Sequence, residues 1–85
     1  MRLDKFLSVS RLIRRRSFAK RAADEGLVLV NGKIAKGSKN ISIGDEITIM
    51  YPGHTLSIVV RQLLVGNLPK KEAYLLYDIL SDEKN

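Results

Sequence analysis

Gly26-Leu27-Val28-Leu29-Val30-Asn31-Gly32 is the stretch on which the fold turns. Gly26 stands where a helix needs a left-handed terminating residue. Leu27 to Val30 is a β-prone run, and Asn31-Gly32 follows it directly. Both central positions of a type I′ turn need positive φ, and Asn-Gly meets that need better than almost any other pair. The segment therefore predicts helix before it, strand within it and a hairpin after it.

Working back toward the N-terminus, Leu3, Phe6 and Leu7, with Ile13 beyond, have helical spacing and predict a helix from Leu3 to about Ile13. Arg2, Lys5 and Arg16 fall near a different azimuth of that helix. Arg11, Arg14 and Arg15 are expected around its C-terminal end, where cations complement the macrodipole. Ser17 is a candidate N-cap for a second helix through about Glu25, with Phe18, Ala19, Ala22 and Ala23 able to pack inward.

Working forward, Lys33-Ile34-Ala35 is the return strand, and the polar stretch Lys36-Gly37-Ser38-Lys39-Asn40 follows. Ile43 to Glu46 reads as a turn and Ile47 to Met50 as a third strand. Pro52-Gly53 marks another turn, with Thr55 to Leu64 as a fourth strand. Leu68 to Leu80 predicts a helix, since Pro69 suits a first turn and Ala73, Leu76, Tyr77 and Leu80 form one stripe. Ser81 to Asn85 is expected to fray. The fold class expected is α+β: two N-terminal helices on a small antiparallel sheet in residues 1–65, and a C-terminal helix and tail in 66–85 of the same domain.

Eighty-five residues, 45% apolar and 28% charged, make one soluble globular domain with a thin core. No apolar run approaches the roughly eighteen residues of a spanning helix, and no signal peptide is legible. A cytoplasmic protein without disulfides is expected, the chain having no cysteine. His54 is the only histidine and falls in the turn Tyr51-Pro52-Gly53-His54. A general base needs a partner and a pocket, and none is apparent. No cluster has metal-ligand spacing, and the glycines are scattered turn residues rather than a phosphate cradle. The expectation is a non-enzyme with no cofactor.

The charge of +6 matters for its placement. Residues 1–40 hold eleven Lys and Arg against Asp4, Asp24 and Glu25, net +8; residues 41–85 are net −2. Such asymmetry indicates one polyanion-binding face. Arg11, Arg14, Arg15, Arg16, Lys20 and Arg21 place six cations within eleven residues. Arginine's planar fork suits phosphate oxygens, and such contacts give affinity without reading sequence. Lys33, Lys36 and Lys39 could lengthen the track or only solubilise a loop. A membrane surface is the poorer partner, because the apolar stripe is narrow, lacks Trp and is needed for the core. Tyr74 and Tyr77 could stack on bases, although Tyr77 lies on the apolar stripe and favours packing.

The string Arg2-Leu3-Asp4-Lys5-x-Leu7, then Arg15-Arg16-Ser17-x-Ala19, then Gly26-x-Val28-x-Val30-Asn31-Gly32, then Gly44-Asp45-x-Ile47 resembles the alpha-L RNA-binding domain of the S-four type. The resemblance implies two antiparallel helices on a bent sheet, with structured RNA along the helices and hairpin. Carried to matching positions, the RNA-facing residues are Arg2, Lys5, Arg15, Arg16 and Lys20, with Asp4 in an orienting role. With Arg11, Arg14, Lys33 and Lys36 from the charge pattern, these are the candidate RNA-binding residues. The opening through Ile13 and the ending Lys70-Lys71-Glu72-Ala73 to Tyr77-x-Ile79-Leu80 are similar to stand-alone, ribosome-associated members. Those include a small heat-shock type and compact quality-control factors. The implied partners are large-subunit rRNA, peptidyl-tRNA and an alanine-tailing quality-control factor, with the chain a monomer off the ribosome. The alternatives are subunit recycling without tailing, and a module that regulates a protein partner.

Overall fold

The computed structural model describes residues 1–63, 73 and 75–84. Two helices, α1 (Leu3–Val9) and α2 (Arg16–Asp24), precede five strands: β1 (Val28–Val30), β2 (Lys33–Ile34), β3 (Glu46–Tyr51), β4 (His54–Val60) and β5 (Tyr77–Lys84). The strands form one antiparallel sheet in the order β2-β1-β3-β4-β5. The α+β class and the two-helix, antiparallel-sheet plan match the expectation from sequence.

The Asn31-Gly32 turn has φ of 52° and 83°, and Gly26 has φ of 84°. Helix stop and hairpin are therefore built as their residue types demand. From that hairpin the register carries two buried rows across the sheet. Val30 pairs with Ile47 and Ile47 with Ile58; Val28 pairs with Ile49 and Ile49 with Leu56. These side chains pack with Leu3, Phe6, Leu7, Ala19 and Ala23 of the helices, which thus cover one face of the sheet.

Four expectations need correction. First, α1 ends at Val9, not near Ile13. Arg11 takes a left-handed φ of 65°, and the Ile13 N–H turns back to the Leu7 carbonyl at 3.0 Å. Arg11, Arg14 and Arg15 thus lie on a loop, and the last turn of α1 holds no basic residue. Second, Ser17 is not the cap: Arg15 occupies that position with extended backbone and no side-chain cap bond. Third, Phe18 is 55% exposed rather than packed inward, with the Arg15 guanidinium 5.7 Å from its ring centroid.

The fourth concerns the C-terminal segment. Residues 64–72 and 74, which include the first turn of the predicted helix, lie outside the described residues, so the base-stacking idea for Tyr74 lies there too. Leu75 and Leu76 form a tight 3₁₀ turn, and Tyr77 to Lys84 is a strand paired along β4, so Ser81 to Lys84, expected to fray, is held in the sheet. Tertiary context overrides the local pattern here. Leu76 is buried in the core and Tyr77 packs against it, as a helical stripe would require, but Leu80 is 51% exposed. The backbone groups along β4 reward an extended partner more than the weak stripe rewards a helix.

Candidate nucleic-acid interface

A helix of seven residues has few internal hydrogen bonds, and its first N–H groups need partners from outside. In α1 the partners come from the loop after β2. The Leu3 N–H donates to the Lys39 carbonyl at 2.7 Å, and the Asp4 N–H to the Gly37 carbonyl at 3.0 Å. The Ile41 N–H donates to the Met1 carbonyl at 2.9 Å. The Lys5 N–H is taken by the Asp4 carboxylate at 2.7 Å. Loop 36–41 is thereby stitched across the start of α1.

The same loop is held to α2. The Gly37 N–H donates to Asp24 Oδ1 at 3.2 Å. A Cβ on Gly37 would lie 3.0 Å from Lys20 Cα and 3.3 Å from Asp4 Cβ, tighter than most packed carbons. A side chain at position 37 would force loop, α1 and α2 apart by a few tenths of an ångström. Lys20 Nζ donates to Asp24 Oδ2 at 2.7 Å. That bond first, and the Gly37 N–H second, hold the Asp24 carboxyl below its ordinary pKa.

Asp4 stands at the centre. Its side chain is only 2% exposed, yet it meets two guanidiniums: Arg2 Nη2 at 3.0 Å and Arg16 Nε at 3.4 Å. Those two side chains are 44% and 50% exposed. The buried carboxylate thus anchors one edge of each fork while other N–H groups stay open to solvent. Asp4 is paired with two nearby arginines, as expected of it.

Of the candidate residues, the structure gathers Arg2, Lys5, Arg16, Lys20 and Lys36 around the loop–helix junction, with Lys39 on the same loop. Arg11, Arg14 and Arg15 are exposed on the segment between the helices. That segment is fixed by the Ser10 hydroxyl on the Leu7 carbonyl at 3.2 Å and by the Tyr51 hydroxyl, which donates to the Leu12 carbonyl. Burial pushes the Tyr51 phenol from 10.0 up to about 12. Lys33 lies apart on the hairpin, at the rim of a groove. Sequence reading missed Gly37, Asp24 and Tyr51. Nothing local marks Gly37 as a point of contact, since the contact is made by residues distant in the chain.

His54 opens β4 rather than sitting in a bare turn. Its ring stacks on Tyr51 with centroids 4.6 Å apart, and Nε2 lies 4.0 Å from Asp82 Oδ1. Among the described residues, no three His, Cys, Asp or Glu side chains gather as metal ligands.

Comparison with known proteins agrees with this geometry. The model of the S4 domain matches residues 1–47. A Bacillus subtilis protein named RQC P-site tRNA stabilizing factor is 45% identical over 84 residues, covering 99% of this chain and 96% of that protein. Heat shock protein 15 of Escherichia coli is 30% identical over 78 residues, covering 92% of this chain and 59% of that protein. The trimeric structure of Vibrio cholerae heat shock protein 15 superposes with a TM-score of 0.87 at 32% identity, over 95% of this chain and 82% of that one. By sequence and by fold, the chain belongs to the S4-domain family and groups with its small members named RQC P-site tRNA stabilizing factor.

Proposed function

We propose that this protein is a non-catalytic factor of ribosome-associated quality control. It binds obstructed large ribosomal subunits in the cytoplasm, contacts rRNA and peptidyl-tRNA, and holds the tRNA in the peptidyl site while a partner adds a C-terminal alanine tail. The observation that carries the reading is the Arg2–Asp4–Arg16 cluster, flanked by Lys5, Lys20 and Lys36 and braced by loop 36–41. A face of this kind needs no general acid or metal. Its forks and ammonium groups can bridge two phosphate backbones, so that each RNA helps to fix the other. The relatives' names agree with a role on tRNA at a ribosome.

The test is sedimentation of tagged protein through sucrose gradients at low and high salt, beside Arg16→Ala. Wild type should travel with large subunits that also carry peptidyl-tRNA, and high salt should release it. Arg16→Ala should stay at the top of the gradient while melting within about 1 kcal/mol of wild type, because the Arg16 side chain is half exposed and Arg2 still pairs with Asp4. Wild type at the top under both salts would sink the proposal. Likeness to heat shock protein 15 favours one second reading, recycling of the obstructed subunit without tailing. In that case, deleting the gene would leave alanine tails on stalled chains intact.

A further inference from the structure

Phe18 is the only large apolar side chain of α2, and the core makes no use of it. It is 55% exposed, while Ala19 and Ala23 of the same helix are buried. The Arg15 guanidinium lies over its ring, 5.7 Å from the centroid and within the roughly 6 Å reach of a cation–π contact. Cation and ring are both open to solvent. Their footing is fixed: the Ala19 N–H donates to the Arg15 carbonyl at 2.9 Å, and the Tyr51 hydroxyl holds the Leu12 carbonyl of the preceding segment. Residues 11–23 carry Arg11, Arg14, Arg15, Arg16, Lys20 and Arg21 and no acid, so the field around the ring selects a polyanion. Phosphates alone have no use for an exposed phenyl ring. A protein groove or a bilayer needs an apolar patch, and on α2 this one ring has only the half-buried Ala22 beside it. A flat aromatic group between phosphates satisfies both ring and charge, and that is a nucleobase.

We infer that the Arg15–Phe18 pair is a stacking platform for one unpaired RNA base, with the neighbouring arginines on its flanking phosphates. The base is unpaired because a duplex keeps its bases stacked inside, whereas splayed bases stack on aromatic rings and guanidinium planes. The inference rests on the RNA-binding reading above and deepens it. Arg16 and Lys20, four residues apart, share the flank of α2 that meets Asp4 and Gly37. Phe18, two residues from either, lies on the other flank. A stem held on the first flank and a nucleotide leaving that stem on the second straddle α2 between them.

Fluorescence anisotropy would test this with three RNA hairpins of one stem: blunt, with a short single-stranded adenosine tail, and with the same tail made abasic. Wild type should bind the adenosine tail at least about fivefold tighter than the abasic one, the low end of what one stacked base contributes. The abasic tail carries the same phosphates, so the difference reads the base alone. Phe18→Leu keeps apolar bulk without a π-face and should abolish the difference while binding the blunt stem like wild type. Phe18→Tyr should retain it. Both variants should keep the circular dichroism of the folded domain, since the side chain is exposed. Equal binding of adenosine and abasic tails by wild type would overturn the inference while leaving RNA binding in place. So would a Phe18→Leu variant that keeps the difference, or one that weakens all three hairpins alike, which would mean that the ring only positions Arg15. Absence of wild-type binding to all three at low salt would instead bring down the RNA-binding reading itself.

Discussion

Asp4→Asn changes one oxygen to an amide nitrogen and nearly nothing in shape. One Asp4 oxygen accepts the Lys5 N–H, while the two oxygens also face Arg2 and Arg16. An asparagine cannot satisfy all three donors. If its carbonyl keeps the Lys5 N–H, its amide points donors at Arg2; if it flips, the clash moves to Lys5. The site is 2% exposed, so water relieves the mismatch poorly. A stranded buried donor costs about 1–3 kcal/mol. The two lost ion pairs add only about 0.2–1 kcal/mol each, because both guanidiniums are half open to solvent. The sum is centred on about 3 kcal/mol, and at roughly 4–8 °C per kcal/mol for a domain of this size the melting temperature should fall by about 12–24 °C. Thermal denaturation followed by circular dichroism measures that fall, and RNA anisotropy below the transition should show weaker binding as both arginines lose their anchor. A double-mutant cycle with Arg16→Ala should return a coupling of about 0.5 kcal/mol or more. Asp4→Asn with unchanged melting, unchanged affinity and additive behaviour would refute the claim that this carboxylate positions the arginines.

Phe6 is fully buried among helix and sheet residues, so Phe6→Ala should destabilise the domain by roughly 3–5 kcal/mol in urea titration. Tyr51 should govern alkaline stability. Its folded pKa of about 12 lies above the 10.0 of the free phenol, so its contribution is intact below pH 10 and is lost as pH rises toward 12. Subtracting the melting profile of Tyr51→Phe from that of wild type should leave a difference that shrinks over that window; a difference flat in pH would refute the assignment. Asp24, whose pKa is lowered, should behave in the opposite sense. Its share of stability is present above its unfolded pKa and lost as pH falls through the folded value, and acid titration of Asp24→Asn should lack that component.

The segments most legible in the sequence are those where local chemistry and tertiary demand agree. Gly26 and Asn31-Gly32 require positive φ, and they place the helix stop and the hairpin without help from any distant residue. The apolar positions of α1 and the alternation in β3 work the same way. Where the two disagree, the sequence misleads. Leu76 and Tyr77 are buried or half-buried by the core whether the backbone is helical or extended, and the unpaired groups of β4 decide in favour of a strand. Arg11 offers no signal for its left-handed backbone, so α1 looks longer in the sequence than it is. The basic face divides along similar lines. Charge density alone indicates Arg11 to Arg21 as polyanion-binding, but the convergence of Arg2 and Arg16 on Asp4 depends on how α2 returns against α1. The part played by Gly37 depends on a loop that arrives from the far side of the hairpin.

That loop also sets an order of events at birth. Leu3 and Asp4 leave the ribosome well before Gly37 and Lys39, whose carbonyls complete their helix. At about 5–20 residues per second, the opening segment waits seconds for them. A copy of this chain whose own translation halts before residue 37 therefore carries most of the arginines but no completed face to display them. Nascent fragments of the factor should be unable to compete with the finished protein for RNA.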